Sequence, residues 1–224
     1  MGALDYAELK KEQVRLAQKL TLQDNFTKVR LIGGVACVSY KNSLMATVAV
    51  FEFPSLLLKE QKKYVLADPL PYHPEFQAYR EVSAMVEAYN SLEQEPDLLL
   101  VEGEGINHPR KLGLAAHLGL LLNVPTIGIS EKLVFGRVEL GKIMMEREIR
   151  GFEVLTREFA NPIYVSPGNA VSLGSALHLV AKTIKLPHKM PEPLHVAHSL
   201  ARKKMKEIMK ASSSHQLINE ITVN

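Results

Sequence analysis

Glu102 has a residue type and a position in the sequence that suggest a chemical role. It follows the apolar stretch "PDLLLV" and precedes Gly103, so it ends a predicted strand that is covered on both faces. Functional sites in open α/β sheets form at the carboxyl ends of strands. Glu102 is therefore a candidate site carboxylate, and a strand-end glutamate that faces water is the alternative.

Two further groups of residues could bind a metal ion or act as a nucleophile. His195 and His198 lie three residues apart in a predicted helix, a spacing that can hold a metal ion. No third ligand is evident, so exposed histidines on a basic helix are favoured. Cys37 could act as a nucleophile with His108, but nothing else in the sequence supports acyl transfer. A small, buried, apolar cysteine is the preferred interpretation.

The elements that must position these residues follow from apolar periodicity and turn signals. Their order predicts an α/β fold: a mixed sheet, three antiparallel strands and then parallel ones, with helices on both faces. We expect one domain over residues 1–210 and a flexible tail over 211–224. The predicted helices are 5–20, 75–92, 111–122, 170–184 and 192–209; the predicted strands are 30–40, 44–53, 56–68, 97–102 and 124–130, with a loop at 69–74 and a hairpin region at 136–166.

Composition limits the class of protein. The 224 residues are 46% hydrophobic, which is enough for a sizeable core. No apolar run reaches the ~18 residues of a membrane span, and the amino terminus lacks the apolar core of a secretory signal. The single cysteine fits a reducing cytoplasm. We therefore expect a cytoplasmic protein without a membrane partner, and a monomer.

Positive charge is concentrated near the carboxyl terminus. Residues 182–210 contain eight Lys or Arg and two acids, a balance of +6, so the remaining residues sum to −3 within the total of +3. A basic segment of this kind fits a polyanionic partner such as nucleic acid. A solvated helix face is the alternative.

Several stretches in the right order resemble one known family. They are "GGVACVSY", "PYHPEFQAYRE", "PDLLLVEGEGINHPRKLGLAAHLGLLLNVPTIGIS", "PIYVSPGNAVSL" and "MPEPLHVAH", which together run over almost the whole chain. The chain resembles the endonuclease V family. The resemblance implies a fold similar to ribonuclease H and a substrate of DNA or RNA with deaminated purines, above all inosine. It also implies Mg²⁺, with Mn²⁺ as a substitute, for hydrolysis of the second phosphodiester 3′ to that base.

The resemblance assigns roles to three residues. Glu81 matches the family's helical carboxylate, and Glu102 stands where the family has an aspartate, so both are metal-ligand candidates. Mg²⁺ is usually held by only one or two carboxylates, so each of them matters. His108 matches a histidine close to the metal site, where it could orient water or stabilise the leaving oxygen. A surface glutamate paired with Arg80 is the alternative for Glu81.

The resemblance also points to residues that contact nucleic acid. Tyr72, in "PYHP", matches the family's wedge, which helps to flip the damaged base out of the duplex; a tyrosine packed on a proline turn is the alternative. Gly103 and Gly105 fit close approach of the backbone to that base, or simply form a turn. The phosphate-contact candidates are Arg110, Lys111 and Lys132, and Asn169 stands where a family segment ends in histidine.

The chain departs from the family pattern at the metal site. Aligning "VSY" places Cys37 where the family has its first metal-binding aspartate, whereas aligning "GGV" places Ala36 there. A neutral thiol is a poor Mg²⁺ ligand and a thiolate is too soft for it. Glu131 replaces a family lysine, and Lys132 follows it one position later. We expect these departures, together with the glutamate at 102 and Asn169, to fall at one site.

These departures leave three hypotheses for the function of the protein. The first is an active Mg²⁺-dependent endonuclease, in which water or Asn169 fills the vacant ligand position. The second is a protein that binds nucleic acid but cleaves it slowly or not at all. The third is a scaffold whose sheet serves protein contacts. We expect strongly reduced cleavage and binding of the family's substrate class.

Overall fold

A computed structural model of the protein describes the backbone of residues 5–222 and the side chains of residues 5–209. The helices are α1 (Tyr6–Ala17), α2 (Gln77–Asn90), α3 (Leu114–Leu122), α4 (Leu173–Thr183) and α5 (Glu192–Thr222), and a short 3-10 turn spans Pro74–Phe76. The strands are β1 (Leu31–Tyr40), β2 (Ser43–Glu52), β3 (Leu57–Ala67), β4 (Leu98–Glu102), β5 (Thr126–Ser130), β6 (Arg137–Glu139), β7 (Lys142–Met145), β8 (Glu148–Val154) and β9 (Ile163–Pro167).

These strands form a nine-stranded sheet in the order β3-β2-β1-β4-β5-β9-β8-β7-β6. The first three strands are antiparallel, and β1, β4 and β5 run parallel to one another. The predicted mixed α/β fold is thus confirmed. The hairpin region at 136–166 differs in detail, because it supplies β6 to β8 and then β9, which pairs antiparallel with both β5 and β8.

Helices cover both faces of the sheet. On one face, α4 and α5 bury a cluster that includes Ile32, Leu98 and Leu100. On the other face, α2 and α3 bury a cluster that includes Leu99 and Val101. The alternation of neighbouring β4 residues between the two clusters explains why the run "LLLV" is apolar throughout.

Gly34, the second glycine of "GGVACVSY", allows α5 to approach the sheet. A Cβ atom on Gly34 would lie 2.2 Å from the backbone carbonyl carbon of Pro193, in the first turn of α5. Only a residue without a side chain permits this contact. The close approach fixes the start of α5 against the centre of β1, and the next turns of α5 then pass the end of β4.

The carboxyl terminus continues as helix. Backbone of α5 extends to Thr222, so residues 211–222 continue this helix rather than forming a separate irregular segment. The flexibility predicted for residues 211–224 concerns side chains and terminal residues outside the described part of the chain, and it stays a prediction. None of the helices within residues 5–222 is long and apolar enough to cross a membrane.

Candidate metal and nucleic-acid site

Three parallel strands end at one edge of the sheet. Val35 of β1 pairs with Val101 of β4, and Glu102 of β4 pairs with Ile129 of β5. By this register Ala36 is level with Glu102, and Cys37 lies one residue closer to the end of β1. The edge therefore brings together the two strand ends from which the sequence predicted a site.

Cys37 rather than Ala36 faces the acidic residues of this edge. Ala36 is 0% exposed and packs in the cluster beneath α4 and α5, whereas Cys37 packs on the opposite face, against the cluster covered by α2. Burial raises the pKa of the Cys37 thiol well above its usual value, and the negative charges of Glu81 and Glu102 raise it further. The side chain at this position is therefore a neutral thiol on which the charges of both carboxylates act.

Glu81 is carried by α2 and is almost fully enclosed. It is 7% exposed, and the Gln77 side-chain amide one turn earlier donates to both carboxylate oxygens at 3.2 Å. Burial raises the pKa of Glu81 to about 7, and the charges of Glu102 and Glu104 contribute in the same direction. Glu81 is therefore not the surface glutamate of the alternative, which would keep an ordinary pKa, and its role as a metal ligand stays a prediction.

Glu102 is held by a histidine that the sequence analysis had taken to be a plain surface residue. Nδ1 of His198, on α5, donates to the two carboxylate oxygens at 2.8 and 3.1 Å. This hydrogen bond raises the pKa of His198. His195 instead stacks on His188, with ring centroids 3.5 Å apart. The two histidines thus have different partners and do not converge as a metal-binding pair.

Glu104 is a third acid at this edge that the sequence analysis missed. It is 7% exposed, and burial raises its pKa. Its charge also acts on Glu81 and on Tyr72. The only sequence signal was its place between two glycines in "EGEG", directly after the predicted site residue Glu102.

The residues present do not fit a Mg²⁺ site. Mg²⁺ demands near-octahedral oxygen coordination, and the β1 side chain on which the charges of Glu81 and Glu102 act is a neutral thiol. One of the glutamates, Glu102, is already paired with His198. Over the described side chains there is no group of three or more His, Cys, Asp or Glu residues arranged to hold a metal ion.

His108 is buried and uses both ring nitrogens for structural hydrogen bonds. Its Nε2 lies 3.1 Å from the Glu75 carbonyl oxygen and so donates to it, while its Nδ1 accepts from the Arg110 backbone N–H at 3.2 Å. Burial lowers the pKa of His108 to about 4. A neutral ring with both nitrogens occupied is not free to orient water or protonate a leaving oxygen, the roles that the resemblance implied.

The burial of neutral His108 predicts a loss of stability in acid. The unfolded chain takes up a proton near pH 6.5, whereas the folded chain resists it down to about pH 4, so stability falls as the pH drops through this window. His108 should account for a loss on the order of 3 kcal/mol. We expect His108→Gln, measured by urea unfolding from pH 7 to pH 4, to lose less stability than the unmodified protein. Parallel pH profiles would contradict this assignment.

Tyr72 stands exposed beside the acids, as expected of a side chain that contacts a ligand. It is 58% exposed, and its pKa is raised by partial burial and by the charges of Glu104 and Glu81. Arg80 ties its loop to the strand edge, since the guanidinium donates to the Leu70 carbonyl and, at 2.9 Å, to the Ser39 hydroxyl. The structure thus places Tyr72 near these acidic residues and leaves its side chain exposed.

The predicted phosphate contacts differ in their availability. Arg110 pairs with Glu75 at 2.6 Å and is largely buried, and Lys111 pairs with Glu148 at 2.7 Å. Lys132 is exposed. Glu131, which precedes it, pairs with Lys189 at 3.3 Å, so part of its negative charge is compensated. Of the three cations, Lys132 is therefore the one best placed to meet phosphate.

Asn169 lies at the other end of the sheet. Ile127 pairs with Pro167, so Asn169 follows β9 beyond Thr126, the first residue of β5. Its side chain accepts from the Thr21 backbone N–H at 3.2 Å and donates to the Gly119 carbonyl at 3.4 Å. The hypothesis that Asn169 fills a ligand position at the carboxyl edge is therefore wrong.

Gly103 and Gly105 are required by packing within the protein. A Cβ atom on Gly103 would lie 2.9 Å from the Leu114 side chain, and one on Gly105 would lie 2.1 Å from the Pro167 carbonyl oxygen. Both contacts hold the loop that follows β4 against its neighbours. They explain these glycines whether or not a base approaches the loop.

The sequence of the chain is similar to known proteins of one family. The sequence model of the family described as Endonuclease V matches residues 14–199. Endonuclease V of Dictyoglomus thermophilum is 33% identical over 208 residues, which cover 89% of this chain and 91% of the relative. Endonuclease V of Dictyoglomus turgidum is 32% identical over 206 residues, 88% of this chain and 90% of the relative.

Solved structures agree as well. Endonuclease V of Ciona intestinalis, in complex with a 23mer DNA containing an inosine followed by a ribo-adenosine, is 26% identical with a TM-score of 0.85, covering 93% of this chain and 100% of that one. Endonuclease V of Streptomyces avermitilis is 25% identical with a TM-score of 0.84, covering 92% of this chain and 95% of that one. Because the family model spans most of the sequence and a relative is 33% identical over nearly its full length, the chain belongs to the endonuclease V family.

Proposed function

We propose that this protein binds DNA or RNA containing deaminated purines, inosine above all, and that its metal-dependent hydrolysis of the phosphodiester 3′ to the lesion is strongly reduced. The observation that carries the proposal is the position of Cys37. Its neutral thiol lies among carboxylates, where a hard divalent cation requires another oxygen donor.

Binding is supported by the exposed groups along the carboxyl edge. Tyr72 stands out of a loop bounded by prolines, and a stiff aromatic loop suits the insertion that base flipping requires. A cleft of about 220 Å³ also opens between the end of β4 and α5. Its polar lining consists of Glu102, Glu131, His195, His198, Ser199 and Arg202. The Ciona relative in complex with inosine-containing DNA supports the same substrate class.

The basic face of α5 supports contact with phosphates. Arg202 lines the cleft, and Lys203 and Lys206 are exposed beyond it, so positive charge begins at the site and continues along the helix. Contacts of this kind release counterions from nucleic acid, so binding should weaken steeply as salt is added.

Reduced hydrolysis is supported by the state of the two carboxylates that the family resemblance assigns as metal ligands. Glu81, with a pKa of about 7, is only partly ionised at neutral pH, and Glu102 is paired with His198. A Mg²⁺ or Mn²⁺ ion would have to displace His198 and would still lack a ligand on β1. We therefore expect binding of nucleic acid that does not depend on a divalent cation.

The test is equilibrium binding of two oligonucleotides that differ only in inosine or adenosine at one position. We expect about tenfold tighter binding of the inosine form, about 1.4 kcal/mol, with the same value in Mg²⁺ and in EDTA. Tyr72→Ala should remove this preference because the wedge is lost. Fluorescence anisotropy over a range of salt concentrations gives the affinities and their salt dependence.

Tyr64→Ala is the matched control, since Tyr64 is another exposed tyrosine, on the outer strand β3, which β2 separates from β1. It should leave the inosine preference unchanged. Equal affinities of the unmodified protein for the two oligonucleotides would refute the substrate class. If the protein bound neither oligonucleotide, the hypothesis of a scaffold for protein contacts would be favoured instead.

A further inference from the structure

Gln13 stands apart from the other residues of α1. The helix is largely exposed, yet Gln13 is 0% exposed and uses both ends of its side-chain amide. Nε2 donates to the Glu75 carbonyl at 2.7 Å, and Oε1 accepts from Nε of Arg110 at 2.6 Å. A fully buried amide with both ends bonded fixes the relative positions of the groups that it joins.

The groups that Gln13 joins belong to two separate loops of the site. Glu75 lies three residues after Tyr72, and its carbonyl accepts from both Gln13 and Nε2 of His108. Its carboxylate pairs with the Arg110 guanidinium at 2.6 Å. Glu75 is thus the point where α1, the loop that carries Tyr72 and the loop that follows β4 meet.

Aromatic packing fixes the same region from the side of α1. The Tyr6 ring lies 5.5 Å from that of His73 and 5.0 Å from that of Phe76, between centroids. The Arg110 guanidinium lies over Phe76 at 5.5 Å. These contacts hold the residues on the carboxyl side of Tyr72, while Arg80 holds Leu70 on its amino side.

We propose that Gln13 is a positioning residue, which acts through Arg110 and Glu75 to hold the Tyr72 loop against the loop that contains His108. The role of this loop in base recognition rests on the proposed function. The positioning itself does not, since it concerns contacts within the protein.

This inference gives Arg110 a different role from the phosphate contact that the sequence suggested. Its Nε donates to Gln13, another of its nitrogens donates to Glu75, and its plane covers Phe76. Lysine keeps the positive charge but lacks the planar fork needed for these simultaneous contacts. Arg110→Lys therefore removes the contacts that position the two loops while it keeps the positive charge.

Hydrogen exchange of backbone amides tests the positioning without any ligand. Gln13→Leu should speed exchange in residues 73–76 and 108–111 by at least about tenfold relative to the unmodified protein, because both loops lose their shared anchor. Ser172→Ala is the control for a general loss of stability, since it removes the hydrogen bond that caps α4 far from this network. Unchanged exchange in the two loops, or the same increase in Ser172→Ala, would overturn the proposal.

Binding of the paired inosine and adenosine oligonucleotides tests the consequence for recognition. Gln13→Leu and Arg110→Lys should both reduce the inosine preference several-fold, while the salt dependence stays as in the unmodified protein. A 2-aminopurine placed beside the inosine should lose the fluorescence increase that accompanies unstacking. Equal weakening with both oligonucleotides would instead make Arg110 a phosphate contact and overturn the positioning role.

The two proposals fail in distinguishable ways. If the unmodified protein showed no inosine preference, the proposed function would fail while hydrogen exchange still decided the role of Gln13. If the preference were present and survived Gln13→Leu, the positioning proposal alone would fail. Arg110→Lys keeps the experiment decisive if Gln13→Leu does not fold.

Discussion

Replacing Cys37 with aspartate is expected to give the protein a measurable affinity for Mg²⁺. The new carboxylate would lie on the face of β1 that is covered by α2, at the position on which the charges of Glu81 and Glu102 act. A hard oxygen donor in this position supplies the ligand that a thiol cannot. We expect binding to tighten at least about tenfold, or about 1.4 kcal/mol, in calorimetric titrations with Mg²⁺.

Ala36→Asp is the matched control, because it places the same carboxylate one residue earlier. Ala36 is 0% exposed and lies among apolar residues beneath α5, so a charge there has no partner. We expect no gain in Mg²⁺ affinity and a loss of about 3 kcal/mol in unfolding free energy. A gain in affinity from Ala36→Asp, with none from Cys37→Asp, would reverse our assignment of the strand.

Gly105→Ala should be among the most destabilising single substitutions in the loop that follows β4. The added methyl group would lie 2.1 Å from the backbone oxygen of Pro167, so one of the two backbones must move. We expect a loss of about 3 kcal/mol in unfolding free energy, measured by denaturant titration.

Gly174→Ala provides the contrasting case for the same chemical change. Gly174 lies in the first turn of α4, and an added methyl group there meets no atom within 4 Å. Alanine should stabilise this helix by about 0.5 kcal/mol. If both glycines tolerated alanine equally well, close packing would not be the reason for glycine at position 105.

The part of the fold that follows from local patterns was predictable. Strands β1, β2, β4 and β5 have continuous apolar runs or clear turns, and their bounds lie within a few residues of the predicted ones. The region after β5 was harder, because β6 and β7 have only 3 and 4 residues and the pairing of β7 with β8 shifts register between Ile143 and Met144. Long-range pairing, not local preference, decides the position of β9 between β5 and β8.

The composition of the site was only partly predictable, for geometric reasons. Cys37 and Ala36 face opposite sides of β1, so a shift of one residue in alignment exchanges a site residue for a core residue. Asn169 was misplaced because β9 runs antiparallel to β5, which carries the residues after it away from the carboxyl edge. A motif in the right order along the chain does not show at which end of a strand it lies.

The partner of Glu102 could not be found from periodicity. His198 lies 96 residues away on a helix, and helical spacing shows only that it shares a face with His195. Which turn of α5 passes the end of β4 depends on how closely the helix approaches β1, and therefore on Gly34. The local sequence pattern shows neither how closely α5 approaches β1 nor how close His198 lies to Glu102.

Single-turnover cleavage of an inosine-containing oligonucleotide, with protein in excess and Mg²⁺ present, shows whether the protein can hold a catalytic cation. We expect the oligonucleotide to be bound and the strand to stay largely uncut over hours, with the same result in EDTA. Complete cleavage within minutes by the unmodified protein, abolished by Glu81→Gln, would show that the cation is held without a carboxylate on β1 and that hydrolysis is not impaired.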